Sequence, residues 1–73
     1  MTAPEMIWVD SSNVEAVGYD ETSNELHVQF KSGSVTYVYE NVPYETFREL
    51  LSAPSKGSYL SRQIKPYYAF RTQ

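Results

Sequence analysis

A chain of 73 residues, 41% hydrophobic and 15% aromatic, suits one small folded domain spanning residues 1–73, which buries only about 60% of the surface its unfolded form exposes. This composition excludes a disordered tail or linker, and a large enclosed active site is not expected at this size. With no cysteine, disulfides, Cys-ligated zinc and thiol nucleophiles are ruled out. No apolar run approaches the ~18 residues that span a bilayer, and no basic region precedes an apolar leader, so a cytoplasmic protein is expected. Nine acids against six Lys and Arg leave a charge of -3, which taken alone argues against nucleic acid. The total hides an asymmetry: residues 1–45 hold eight acids and one base, whereas residues 46–73 hold five bases and one acid.

The first half reads as strands. Ile7-Trp8-Val9 is a short apolar run closed by Asp10-Ser11-Ser12-Asn13, residues that favour turns through side-chain bonds to nearby backbone. Val14 to Tyr19 follows and ends in the polar stretch Asp20 to Asn24. Leu26, Val28 and Phe30 then alternate with His27 and Gln29, and Val35, Tyr37 and Tyr39 repeat the period beyond Lys31-Ser32-Gly33-Ser34. Two alternating runs joined by a short glycine-containing loop predict a hairpin.

The second half changes period. Pro43 can open a helix at its first position. Tyr44, Phe47, Leu50 and Leu51 fall on one face of that helix, and Glu45, Arg48, Glu49 and Ser52 on the other. Ala53-Pro54 ends it. Ser55 is the N-cap of a second, shorter helix reaching Ile64, with Leu60 and Ile64 on one stripe and Pro66 as its stop. The apolar Tyr67-Tyr68-Ala69-Phe70 is expected to dock as a strand or extended segment. A small antiparallel sheet of three to five strands covered by two C-terminal helices is an α+β fold. Closure of the strands into a small barrel is the alternative.

Residues able to support catalysis are few. His27, the only histidine, alternates with Leu26 and Val28 and is expected on a solvated outer face without a partner. One histidine and scattered carboxylates make neither a metal site nor a serine triad, and no Gly-x-Ser-x-Gly is present. Ser55-Lys56-Gly57-Ser58 reverses the order of a phosphate loop. It reads as a helix cap, with weak anion binding by free N–H groups as the alternative. A non-catalytic protein without cofactor or metal is expected.

The aromatic content is the unusual feature, with seven Tyr, three Phe and one Trp. Tyr37 and Tyr39 share one side of a strand, where they either fill the core or form a platform for unpaired bases. A second surface combines Lys56, Tyr59, Arg62, Lys65, Tyr67, Tyr68 and Arg71, and residues 50–73 contain four bases and no acid. Basic groups interleaved with rings suit single-stranded nucleic acid, the cations meeting phosphates and the rings meeting bases. A solvated helix face is the competing reading.

From Val9 to Phe70 the chain resembles the KTSC domain family. The likeness runs through Ser11-Ser12, Val17-Gly18-Tyr19-Asp20, Leu26-x-Val28-x-Phe30-x-x-Gly33 and the central Tyr37-Val38-Tyr39. It continues through Val42-Pro43, Ser55-Lys56-Gly57-Ser58-Tyr59 and Ile64-Lys65-x-x-Tyr68. The resemblance implies a bacterial or phage binding module, stand-alone or fused to a lysyl-tRNA synthetase, with RNA the suggested partner. A protein-interaction module, meeting a basic partner through its acidic face or a sheet edge, is the alternative.

Overall fold

Alternation along the central strands sets the architecture. In a computed structural model, which describes residues 4–33 and 35–73, five strands form one antiparallel sheet: β1 (Ile7–Trp8), β2 (Val14–Asp20), β3 (Glu25–Phe30), β4 (Thr36–Tyr39) and β5 (Phe70–Thr72). Their spatial order follows the chain, β1-β2-β3-β4-β5. The sheet is open, with β1 and β5 as its two edges, so the barrel alternative is not formed. The expected hairpin is present, with Leu26 opposite Tyr39 and Val28 opposite Tyr37. The last strand begins at Phe70, beyond the Tyr67-Tyr68 turn, and thus later than the aromatic run suggests.

The turns are built by local chemistry. The Asp20 carboxylate accepts from the Thr22 backbone N–H at 3.0 Å and from its hydroxyl at 2.6 Å, closing the β2–β3 turn. Asn24 and Asn41 take positive φ values of 57° and 58°, a left-handed conformation that asparagine tolerates better than most residues. The Val42 N–H donates to the Asn24 carbonyl at 2.9 Å. This bond ties the β2–β3 turn to the start of the helical half.

Helix α1 (Tyr44–Ser52) has Pro43 as its N-cap, so it begins one position later than expected, and Ala53 as its C-cap. Ser55 caps α2 (Lys56–Tyr59) by accepting the Ser58 N–H at 3.3 Å. From there the chain widens into a π-helical turn, Leu60–Ile64, closed by the Lys65 N–H donating to the Leu60 carbonyl at 2.9 Å. Pro66 has no N–H with which to continue the ladder.

The core lies between the sheet and these helices. Val14, Val17, Leu26, Val28 and Tyr39 from the strands meet Val42, Phe47, Leu50, Leu60 and Ile64. Each fully buried aliphatic side chain contributes roughly 1.5–3 kcal/mol, so this single cluster dominates stability. Tyr19 stacks on Phe47 with ring centroids 5.4 Å apart and donates its hydroxyl to the Val42 carbonyl, closing one end.

The opposite face of the sheet corrects the reading of His27. That side chain is 4% exposed, not solvated, and Ala16, Gly18 and Val38 on the same face are buried with it. Gly18 stands opposite His27 across the β2–β3 pair, and a Cβ there would lie 2.8 Å from both the Glu5 carbonyl and the Met6 sulfur. The segment before β1 therefore packs on this face. The alternation of His27 is real, but both faces of the sheet are covered.

Candidate nucleic-acid interface

The two halves of the Tyr-Val-Tyr motif separate. Tyr39, opposite Leu26 on β3, is 2% exposed and belongs to the core. Burial pushes its phenol above the ordinary range. Its ring is not available for stacking. Tyr37 is half-buried, packed against the edge of the core.

Around Tyr37 the helix-facing side of the sheet runs past its cover. The Tyr37 ring meets Phe30 edge-to-face at 5.4 Å and lies against Phe70 at 5.3 Å with the planes tilted by 31°. Phe70 sits on edge strand β5 opposite Tyr39 and is 54% exposed. Lys65, delivered by the end of the π turn, places its Nζ 5.5 Å from the Phe30 ring centroid, a cation–π contact. Phe30, Ser32, Gly33, Val35, Tyr37 and Lys65 line an open groove of about 400 Å³.

The remaining predicted residues divide. Arg62 is exposed on the same π turn as the approach to Lys65. Tyr59 and Tyr68 pack against the core. The Tyr59 hydroxyl donates to Glu49 Oε1 at 2.9 Å, and its pKa is pushed up to about 12 by burial and then by that carboxylate. Lys56 donates its ammonium to the Ala53 carbonyl at 2.8 Å, so it serves the junction between the helices. Arg71 is taken from the set altogether. It stands opposite Val38 on β5, on the face away from the helices, and donates to Glu25 Oε2 at 2.8 Å and Glu40 Oε2 at 3.1 Å.

The geometry thus gathers Tyr37 and Lys65, and leaves Arg62 exposed on the turn that precedes Lys65. It adds Phe30 and Phe70, whose pattern in the sequence is that of a core-face residue and a docking residue. Their signal was present in the alternation: Phe30 ends the Leu26-Val28-Phe30 series, where the face outruns two short helices. Chemically the groove offers ring faces and edges beside a lysine. Among the described residues no three His, Asp or Glu side chains gather to hold a metal. No helix among them is long and apolar enough to cross a membrane.

Comparison with known proteins follows the same outline. The KTSC domain family model matches residues 10–68. A protein of Tsukamurella paurometabola is 42% identical over 60 residues, covering 82% of this chain and 88% of the relative. A lysine–tRNA ligase of Nostoc sp. is 38% identical over 61 residues, covering 84% of this chain but 11% of that enzyme. The crystal structure of a KTSC domain protein from Yersinia pestis superimposes with a TM-score of 0.91 at 32% identity, covering 97% of this chain and 99% of that one. The sheet order, the helical cover and the matched residues make this chain a member of the KTSC domain family.

Proposed function

We propose that the chain acts by binding rather than by catalysis, and that its ligand is single-stranded RNA held in the Lys65 groove. The supporting observation is the continuous series Lys65, Phe30, Tyr37 and Phe70, a cation followed by three rings in contact and ending in a half-exposed one. A base stacked on an aromatic side chain gains roughly 1–3 kcal/mol, and Phe70 presents the accessible ring. Lys65 and Arg62 meet the flanking phosphates. The likeness to one segment of a lysine–tRNA ligase is consistent with an RNA ligand. The lone histidine is buried without a hydrogen-bond partner among the described residues, which supports binding over catalysis.

The experiment is a titration of a fluorescent single-stranded RNA with wild type, Lys65→Glu, Arg62→Glu and Phe70→Ala. The affinity of wild type falls with salt, and the charge variants flatten that dependence by roughly 0.7 per phosphate contact removed. Phe70→Ala weakens binding by about 1–3 kcal/mol while leaving the salt slope intact. Binding that is unchanged in all three variants overturns the reading.

A further inference from the structure

The opposite edge of the sheet carries a different surface. β1 is an outer strand, and beyond its pairing with β2 its backbone groups meet no strand among the described residues. Unpaired edge groups can accept an added strand, and β1 offers two residues of such an edge. Ile7 is 45% exposed and Trp8 73% exposed, so the most exposed large apolar residue sits on the strand with an open side. Glu5 and Asp10 flank the pair and are exposed. The first thirty residues hold six acids and no Lys or Arg. The first base, Lys31, lies at the far end of the β1–β2 loop, where its N–H bonds the Asn13 carbonyl. Arg71, on the other edge, is already met by two carboxylates.

We infer that β1 is a docking edge for an extended, lysine- or arginine-rich polypeptide segment, which adds as a sixth strand. Backbone hydrogen bonds to β1 give the segment its register. Its cations pair with Glu5 and Asp10, and one lies over the Trp8 indole, the ring that binds cations best. Charge also selects against a second copy of this chain. Antiparallel pairing of β1 with itself brings the acids flanking Ile7 and Trp8 together, and like charges so placed are repulsive. The surface lies at the other edge of the sheet from the Lys65 groove, so this inference stands apart from the RNA reading.

Trp8 is the only tryptophan, which makes its fluorescence a reporter of this edge alone. The probe is a peptide of alternating Lys and Thr, added to the full chain at physiological salt, with an alternating Glu–Thr peptide as control. The Lys peptide shifts the Trp8 emission and slows exchange of the Trp8 amide, and the Glu peptide does neither. The double variant Glu5→Lys/Asp10→Lys weakens Lys-peptide binding about tenfold, as two exposed ion pairs near the middle of their range require. Lys65→Glu leaves it unchanged. An unchanged emission, an equal response to the Glu peptide, or an emission shift that tracks protein concentration without any peptide overturns the inference.

Discussion

Arg71 donates to the Glu25 carboxylate at 2.8 Å across 46 positions of sequence, joining the last strand to the third on the face away from the helices. A base that the sequence groups with a cationic C-terminal surface is therefore neutralised on the other side of the sheet. Its hydrogen bond, together with that from Ser23, holds the Glu25 carboxyl below its ordinary range despite partial burial. In Arg71→Ala the Glu25 pKa rises back toward the ordinary value, read by carbon NMR of the carboxylate against pH. The same variant binds RNA as wild type does, whereas a base in the interface would weaken it.

Tyr39 and Tyr37 share a strand face but carry different energies. Tyr39→Ala leaves a cavity in the core and costs about 3–5 kcal/mol, measured by denaturant unfolding. Tyr39→Phe keeps the packing and stays within about 1 kcal/mol of wild type. Tyr37→Ala costs less, roughly 1–2 kcal/mol for a half-buried ring, and under the proposed RNA function its larger effect is on RNA affinity.

His27 makes stability depend on pH. Burial is the main cause holding its pKa below 6.5, with Arg71 in the same direction and Glu25 and Asp20 opposing. The nearest of these, Glu25 Oε1, is 3.9 Å from Nε2. Above 6.5 the imidazole is neutral in both folded and unfolded chains and contributes no pH dependence. Below 6.5 the unfolded chain takes up a proton that the folded one resists, so stability falls as pH falls from 6.5 toward the depressed folded value. His27→Leu removes that part of the dependence. Urea unfolding across this window, wild type against variant, reads the difference directly.

Gly18→Ala tests the second covered face. The added methyl meets the Glu5 carbonyl and the Met6 sulfur at 2.8 Å, and a backbone carbonyl cannot yield as a flexible side chain can. The expected loss is about 1–3 kcal/mol, together with faster proteolysis of the segment preceding β1. Unchanged stability and proteolysis would contradict the packing of that segment on the sheet.

Local patterns carried most of the fold. Leu26, Val28 and Phe30 fixed the hairpin face, Ala53-Pro54 the break between helices, and Ser55 the second cap, each through interactions spanning a few residues. Long-range closure was less legible. His27 was misplaced because alternation tells which residues share a face, not whether something covers it. Val38 between two tyrosines and the small pair Ala16 and Gly18 were the available hints of a second packed face. The aromatic groove beside Lys65 was half legible. Lys65 and Tyr37 stood out by residue type, but Phe30 and Phe70 join them only through the register of β3, β4 and β5 and the extra residue of the π turn.

Residue-resolved NMR of the aromatic and amide groups during titration with a single-stranded RNA decides whether RNA occupies the Lys65 groove. The account predicts saturable shifts at Phe30, Tyr37, Lys65 and Phe70, with Tyr39 and Trp8 unmoved. Shifts centred on Trp8 or the β2–β3 turn, or none at any residue up to saturating RNA, would contradict it.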